Sequence, residues 1–216
     1  MIPKRASLEM LSFMNALNPM TDIDILSLAR DTITLEAQAI QAVVDQLDET
    51  FVEVTKALLA CEGHVLVAGS GTSHATALRM AHLLSCCGTP ALFIHPGDAQ
   101  HGTSGAVTPK DIVILISRGG ETDEVNKLGT IAKQRGATVI AFTERPASTI
   151  GKLSDLILQV RADPAADIER TITTGGSLCM SAVGDALCAV LMKLRGYSMD
   201  SFAATHPGGA VGKSLK

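Results

Sequence analysis

The chain has 216 residues, 46% apolar and 19% charged, and Lys+Arg 18 against Asp+Glu 22 give a net charge of −4. This composition fits one core-forming domain with an arm and excludes a disordered chain. There is no basic run to displace counterions from a phosphate backbone, and aromatics are 3% with no Trp, so nucleic-acid binding is not expected.

In chain order, residues 1–21 read as an N-terminal arm and residues 22–216 as one domain. In the arm, Pro3 and Pro19 bracket Leu8, Met10, Leu11, Phe13, Met14 and Leu17, an apolar patch suited to docking on another subunit. Lys4 and Arg5 are followed by Glu9 and Ser12, which interrupt any signal-peptide core. From Asp22 or Asp24, either of them a candidate N-cap, to Cys61, apolar residues recur at helical spacings (Ile25, Leu28, Ile33, Ala37, Ile40, Val44, Leu47). This predicts one long helix and a second, shorter one.

The rhythm then changes. Five short apolar runs follow: His64–Ala68, Ala91–Ile94, Asp111–Ile116, Ala137–Phe142 and Asp155–Val160. Runs that are continuous and mostly β-branched suit strands covered on both faces. Helical segments lie between them, at Ser73–Cys87, Glu121–Arg135 and near Ser148–Leu153, and a last helix is expected over Ser177–Leu194, ended by Gly196. The tail His206–Gly209 reads as loop. Strand–helix alternation predicts an α/β fold, a three-layer αβα sandwich around a five-stranded parallel sheet. The longest apolar stretch, Ser177–Met192, is broken by Ser181 and Asp185, so no membrane span is expected. The five cysteines, Cys61, Cys86, Cys87, Cys179 and Cys188, contain no C-x-x-C pair and are odd in number. They read as free thiols of a cytoplasmic protein.

Ligands of such sheets bind beyond the carboxyl ends of the strands. After the first strand comes Gly69-Ser-Gly-Thr-Ser-His74, a glycine turn into a helix. His74 stands where a dinucleotide fingerprint wants glycine, which disfavours a dinucleotide, and no G-K-[ST] completes a Walker loop. After the third strand comes Ser117-Arg-Gly-Gly-Glu-Thr122, again hydroxyls and glycines before a helix. Two such turns on one sheet edge predict a phosphate cradle of Ser70, Gly71, Thr72, Ser73, Ser117, Gly119, Gly120 and Thr122. Arg118 reads either as an added charge or as a solvated surface residue. The loop after the second strand carries His95, Asp98 and His101 without the ligand spacing of zinc enzymes, so no metal is expected. His101 is a candidate acid–base group, or a residue that only fixes its loop. Glu121 and Glu124, three apart, are expected to share a helix face, one favouring the helix dipole and the other reaching the cradle as a base.

These residues, with Gly88-Thr-Pro90, Phe93-Ile-His-Pro96, Val107-Thr-Pro109, Gly184-Asp-Ala-Leu187, Arg195-Gly-Tyr197 and Thr205-His-Pro-Gly-Gly-Ala-Val-Gly212, resemble the SIS (sugar isomerase) family, in its D-arabinose-5-phosphate isomerase-like branch. The resemblance runs from about residue 28 to the C-terminus and implies a flavodoxin-like SIS fold. Many members carry CBS domains beyond this point, and with the sequence stopping at Lys216 the chain reads as an isomerase domain standing alone. The resemblance implies interconversion of D-arabinose 5-phosphate and D-ribulose 5-phosphate, or of a related phosphosugar, by enediol proton transfer without a cofactor. It carries catalytic roles onto His101, Glu124 and His206, with Glu124 or His206 as base and His101 as polar partner. It also implies a homodimer or homotetramer with shared active sites, in which His206 or His101 faces a neighbour's pocket. Several positions depart from the family pattern. Thr72 stands for a loop lysine, and Ala165 for a glutamate that only Asp167 or Glu169 lies near enough to replace. Thr103 stands for an aspartate, and Arg118-Gly119-Gly120 for x-S-G. Arg118 is a candidate to replace the lost cation. The departures leave a second reading, a phosphosugar sensor that binds without turnover.

Overall fold

The computed structural model describes residues 21–208. The arm therefore lies outside the described residues except for Thr21, as do Gly209–Gly212 of the tail motif. Two helices open the chain, α1 (Asp22–Val43) and α2 (Glu49–Leu59), joined by a 3-10 turn. The N-cap of α1 is Thr21 rather than Asp22 or Asp24. Its hydroxyl accepts from the Asp24 amide while Asp24 answers at the Thr21 amide, a reciprocal capping box that makes Asp24 the third helical residue.

The strands are β1 (Val65–Gly69), β2 (Ala91–Phe93), β3 (Ile112–Ile116), β4 (Thr138–Thr143) and β5 (Leu156–Gln159). All pair in parallel, in the order β2-β1-β3-β4-β5. The connecting helices are α3 (Thr72–Cys86), α4 (Pro96–Ala99), α5 (Asp123–Gln134) and α6 (Thr149–Leu153), and α7 (Gly175–Leu194) and α8 (Met199–Thr205) follow the sheet. The expected three-layer sandwich is present, with strand and helix ends shifted by a residue or two. Two differences bear on the candidate residues. The helix expected from Glu121 begins at Asp123, so Glu121 and Glu124 do not share a helical face. Residues 199–205, for which the sequence pattern predicted no element, form α8, capped by the Ser198 hydroxyl on the Ser201 amide.

Alternation along the strands splits the core in two. Val65, Val67, Ile112, Ile114, Ile116, Ile140, Phe142 and Leu158 face α1, α2, α3 and α7. Leu66, Ala68, Val113, Leu115, Val139 and Ala141 face α5 and α6. Every residue of β1 and β3 is buried, which is why their sequences are unbroken apolar runs. Among the described residues α7 is the one helix long and apolar enough to cross a membrane. Its buried face, from Cys179 to Leu191, is part of the first core layer.

Asp111 fastens the amino ends of β1 and β3. One carboxylate oxygen accepts from the His64 amide at 2.7 Å, and the other from the Thr108 amide at 2.7 Å and the Thr108 hydroxyl at 2.9 Å. Burial alone would raise this acid, but the donors from His64 and Thr108 outweigh it and hold Asp111 below its ordinary value.

Candidate active site at the carboxyl edge of the sheet

The strand order reverses between β1 and β3, and two turns leave that point side by side. Gly69 and Ile116 are register partners, so the turns at 70–73 and 117–122 begin one strand spacing apart, roughly 4.8 Å. Gly71 caps α3 at φ 59°, a conformation a side chain disfavours, and supplies no side-chain acceptor. Thr122 caps α5, also without a side-chain hydrogen bond. By contrast α1, α2, α4, α6 and α8 each begin with a side-chain cap. The two helices that start at the reversal point thus present uncapped first-turn N–H groups to one edge, which favours an anion.

The hydroxyls of the second turn are arranged in series. Ser117 is buried, and its Oγ accepts from the Gly120 amide at 3.1 Å and lies 3.1 Å from Thr122 Oγ1. The two hydroxyls share one proton between them, so one hydroxyl proton of the pair is left for a ligand. Ser117, buried and bonded to the Gly120 amide, shapes the turn, and the half-buried Thr122 is the more accessible hydroxyl. Gly120 sits at φ 72°, and a Cβ there would overlap Ser148 and Ile150, so glycine is required twice over. In the first turn Ser70 and Ser73 are half-buried, while Gly71 and Thr72 are exposed.

Glu124, the second residue of α5, joins the two turns. Its own backbone amide and the Ser70 side chain hold its carboxylate below the usual range, with Lys127 and His95 adding in the same direction. Near it stands a group of rings to which the sequence pattern assigned no joint role. The His74 ring packs edge-on against Phe93 at 4.6 Å and against His95 at 5.6 Å between centroids. His95 caps α4, its Nδ1 accepting from the Asp98 amide at 3.3 Å. Its place directly after β2, at the ligand-binding edge, was the available signal.

The other expected residues fall elsewhere. His101 is exposed in the turn after α4, its amide bonded to the Asp98 carbonyl at 2.9 Å. Glu121 leaves the cradle to accept from the amide and hydroxyl of Thr149 at 3.0 and 2.6 Å. Arg118 is neither a solvated residue nor a free cation. It donates to Glu144 at 3.0 Å and to Asp167 at 2.5 Å, and the Asp167 side chain is wholly buried. Asp167 also accepts from the Gly176 amide at the start of α7 at 2.9 Å, so it cannot stand in for the carboxylate missing at 165. Ala165 lines a cleft of about 310 Å³ with Leu28, Thr32 and Leu35 of α1. Glu169 is exposed at φ 52°. His206 lies where α3 ends, its Nε2 3.5 Å from the sulfur of Cys86. The 15 residues of α3 span about 22 Å, so within one chain His206 is a helix length from the cradle.

The SIS domain model matches residues 58–197. Among curated proteins, "Arabinose 5-phosphate isomerase KdsD" of Yersinia pestis is 34% identical over 196 residues, covering 89% of this chain and 59% of the relative. "Arabinose 5-phosphate isomerase KpsF" of Escherichia coli is 37% identical over 193 residues, covering 88% of this chain and 61% of the relative. The chain thus spans about three-fifths of the length of these relatives. Among solved structures, a protein of Listeria monocytogenes str. 4b F2365 superposes with a TM-score of 0.85 at 35% identity, covering 88% of this chain and all of that one. An E. coli CFT073 protein in complex with arabinose 5-phosphate superposes with a TM-score of 0.84 at 31% identity, covering 87% of this chain and all of that one.

Proposed function

This chain belongs to the SIS domain family, and from that premise we propose that it isomerises a phosphorylated aldose, arabinose 5-phosphate to ribulose 5-phosphate. The observation that carries the reading is the carboxylate of Glu124 held against the Ser70 turn, between two uncapped helix N-termini. The first-turn amides of α3 and α5, with Ser70, Thr72, Ser73 and Thr122, take the phosphate. Glu124 then removes the proton at C2 of the open-chain sugar while the C1 carbonyl oxygen takes up a proton, and the enediol collapses to the ketose when Glu124 returns its proton to C1 and the C2 hydroxyl gives up its own. No electron leaves the sugar, so the reaction consumes no redox partner. His95, beside Glu124, is a polar partner on the same edge, and His101 is an exposed one.

His206 enters this scheme only from a second copy of the chain, because its own cradle is a helix length away. Support for such an assembly comes from α1, where Ile23, Ile25, Leu26, Leu28, Ile33 and Leu35 are between 40% and 78% exposed. A run of apolar side chains of that size on a helix marks a contact surface.

Incubation of the purified protein with arabinose 5-phosphate, followed by ketose detection, tests the reading. Turnover is expected, and Glu124→Gln lowers it about a hundredfold or more while sugar-phosphate binding persists. Absence of turnover on a panel of pentose and hexose phosphates overturns it. One set of observations favours the second reading, binding without turnover. Thr72 supplies no cation, Arg118 is committed to Glu144 and Asp167, and Ala165 faces α1. Calorimetric binding of the same sugar phosphate without conversion would select it.

A further inference from the structure

Three reactive side chains meet at the far end of α3, away from the cradle. Cys86, its last residue, is half-buried, and its Sγ lies 3.5 Å from Nε2 of His82, one turn earlier, and 3.5 Å from Nε2 of His206. The His206 ring is oriented by its other nitrogen. Nδ1 lies 2.9 Å from the Phe202 carbonyl oxygen, which only accepts, so Nδ1 carries the proton and Nε2 is bare. The Thr205 hydroxyl, 3.1 Å from Nδ1, and the Phe202 ring, stacked 3.8 Å away, hold the imidazole in place. The Cys86 thiol therefore donates to a bare ring nitrogen whose orientation is set from behind, which is the order of nucleophile, base and orienting group that activates a thiol. The other cysteines differ. Cys179 and Cys188 are buried, and burial drives their thiols up to about 11 and about 12. Burial also raises Cys87. Cys61 has the Lys110 carbonyl, 3.5 Å away, as its hydrogen-bond partner, and no imidazole is bonded to its sulfur. Among the described residues no three such side chains are placed to hold a metal ion, and the chemistry that remains is that of the thiol.

We propose that Cys86 is an activated thiol and a site of reversible oxidation by hydroperoxides. His206 takes the thiol proton, and the thiolate sulfur attacks one peroxide oxygen. The S–O bond forms as the O–O bond breaks. The departing hydroxide or alkoxide takes the proton back from His206 and leaves as water or an alcohol. Sulfur gives up two electrons and the peroxide gains them, which leaves a sulfenic acid against His206. That group then occupies the one nitrogen of His206 not committed to Phe202. The effect on isomerisation rests on the reading of His206 as an acid–base group, and the reactivity of Cys86 does not.

The test is site-resolved mass spectrometry of the intact assembly under limiting iodoacetamide. Cys86 is expected to be carbamidomethylated about tenfold faster than Cys61. His206→Asn and His82→Ala, the latter at an exposed position, each slow Cys86 several-fold and leave Cys61 unchanged. After hydrogen peroxide, dimedone tags Cys86, and the tag is lost if dithiothreitol is added first. Labelling of Cys86 no faster than Cys61, a rate indifferent to both histidine substitutions, or no dimedone adduct at Cys86 overturns the proposal. A separate arm reads arabinose 5-phosphate turnover after peroxide. The unmodified protein loses rate, and Cys86→Ser keeps the rate it had before treatment. Equal losses in both would overturn the link to His206, whereas no turnover in any sample would count against the isomerase reading and leave the labelling result standing.

Discussion

Arg118 carries the sharpest lesson at the residue scale. From the chain alone it stands in a phosphate-type turn and looks available to an anion. Its fate is decided by Glu144 and Asp167, 26 and 49 residues further on, whose approach depends on β4, β5 and the segment before α7 all being in place. Burial lowers the tendency of the guanidinium to hold its proton, and the two carboxylates more than restore it. Truncation would strand Asp167, whose side chain is wholly buried. Arg118→Ala is therefore expected to destabilise the fold by about 3 kcal/mol, read as a lower urea midpoint. Arg118→Lys recovers only part of it, since an ammonium cannot fork between both partners. A change below about 0.5 kcal/mol in Arg118→Ala would mean that the ion network contributes nothing.

Thr72 is the opposite case. Its identity is plain in the sequence, and the structure leaves it exposed at the first position of α3 with room around Gly71. Thr72→Lys is expected to tighten binding of arabinose 5-phosphate severalfold by adding a charge to a neutral donor set, measured calorimetrically at low salt. Unchanged affinity would show that the phosphate does not sit over this turn.

At the scale of elements, the strands were legible because burial on both faces demands unbroken apolar runs, and the two cradle turns were legible because glycine and hydroxyl residues follow the first and third runs. The short elements were not. Helix α8 has seven residues and none of them is buried, so it carries no periodic pattern, and only the Ser198 cap announces it. The start of α5 was misplaced because Glu121 continues a helix-forming composition, while the real boundary is set by Thr149 drawing its carboxylate across to α6. Asp111 is the element-scale fastening with a titratable signature. Its folded value lies below 3.8, so its contribution is complete above the unfolded value and is lost as pH falls through and below about 4. Asp111→Asn is expected to cost about 2 kcal/mol at neutral pH. It should also flatten the decline in stability between about pH 5 and pH 3, followed by urea midpoints. An identical acid slope in the two proteins would remove Asp111 from the account.

At the scale of the whole molecule, the cradle was legible as a place on the sheet edge, but the tail histidine only as a residue. The tail motif singled out His206 as a catalytic candidate, yet pattern carries no information on which end of α3 it would occupy. That required the return of α7 along α3, where Arg79 and Asp185 pair through both oxygens at 2.6 and 2.9 Å. The separation makes a prediction about assembly. If two copies share each site, Glu124→Gln and His206→Ala disable different halves of it. Mixing the two inactive variants after unfolding and refolding should restore turnover that neither shows alone. Light scattering of the native protein should report a mass of at least two chains. A mixture as silent as its components, or a monomer at micromolar concentration, would place the whole reaction within one chain.

Helix α3 has the glycine turn at one pole and Cys86 at the other. In an α-helix, removal of a single residue swings everything beyond the cut by about 100° and draws it in by about 1.5 Å. The length of this shaft is therefore a ruler. Loops elsewhere on the surface tolerate insertion, but a lost or gained residue here would misalign both poles at once, although nothing along the middle touches either chemistry.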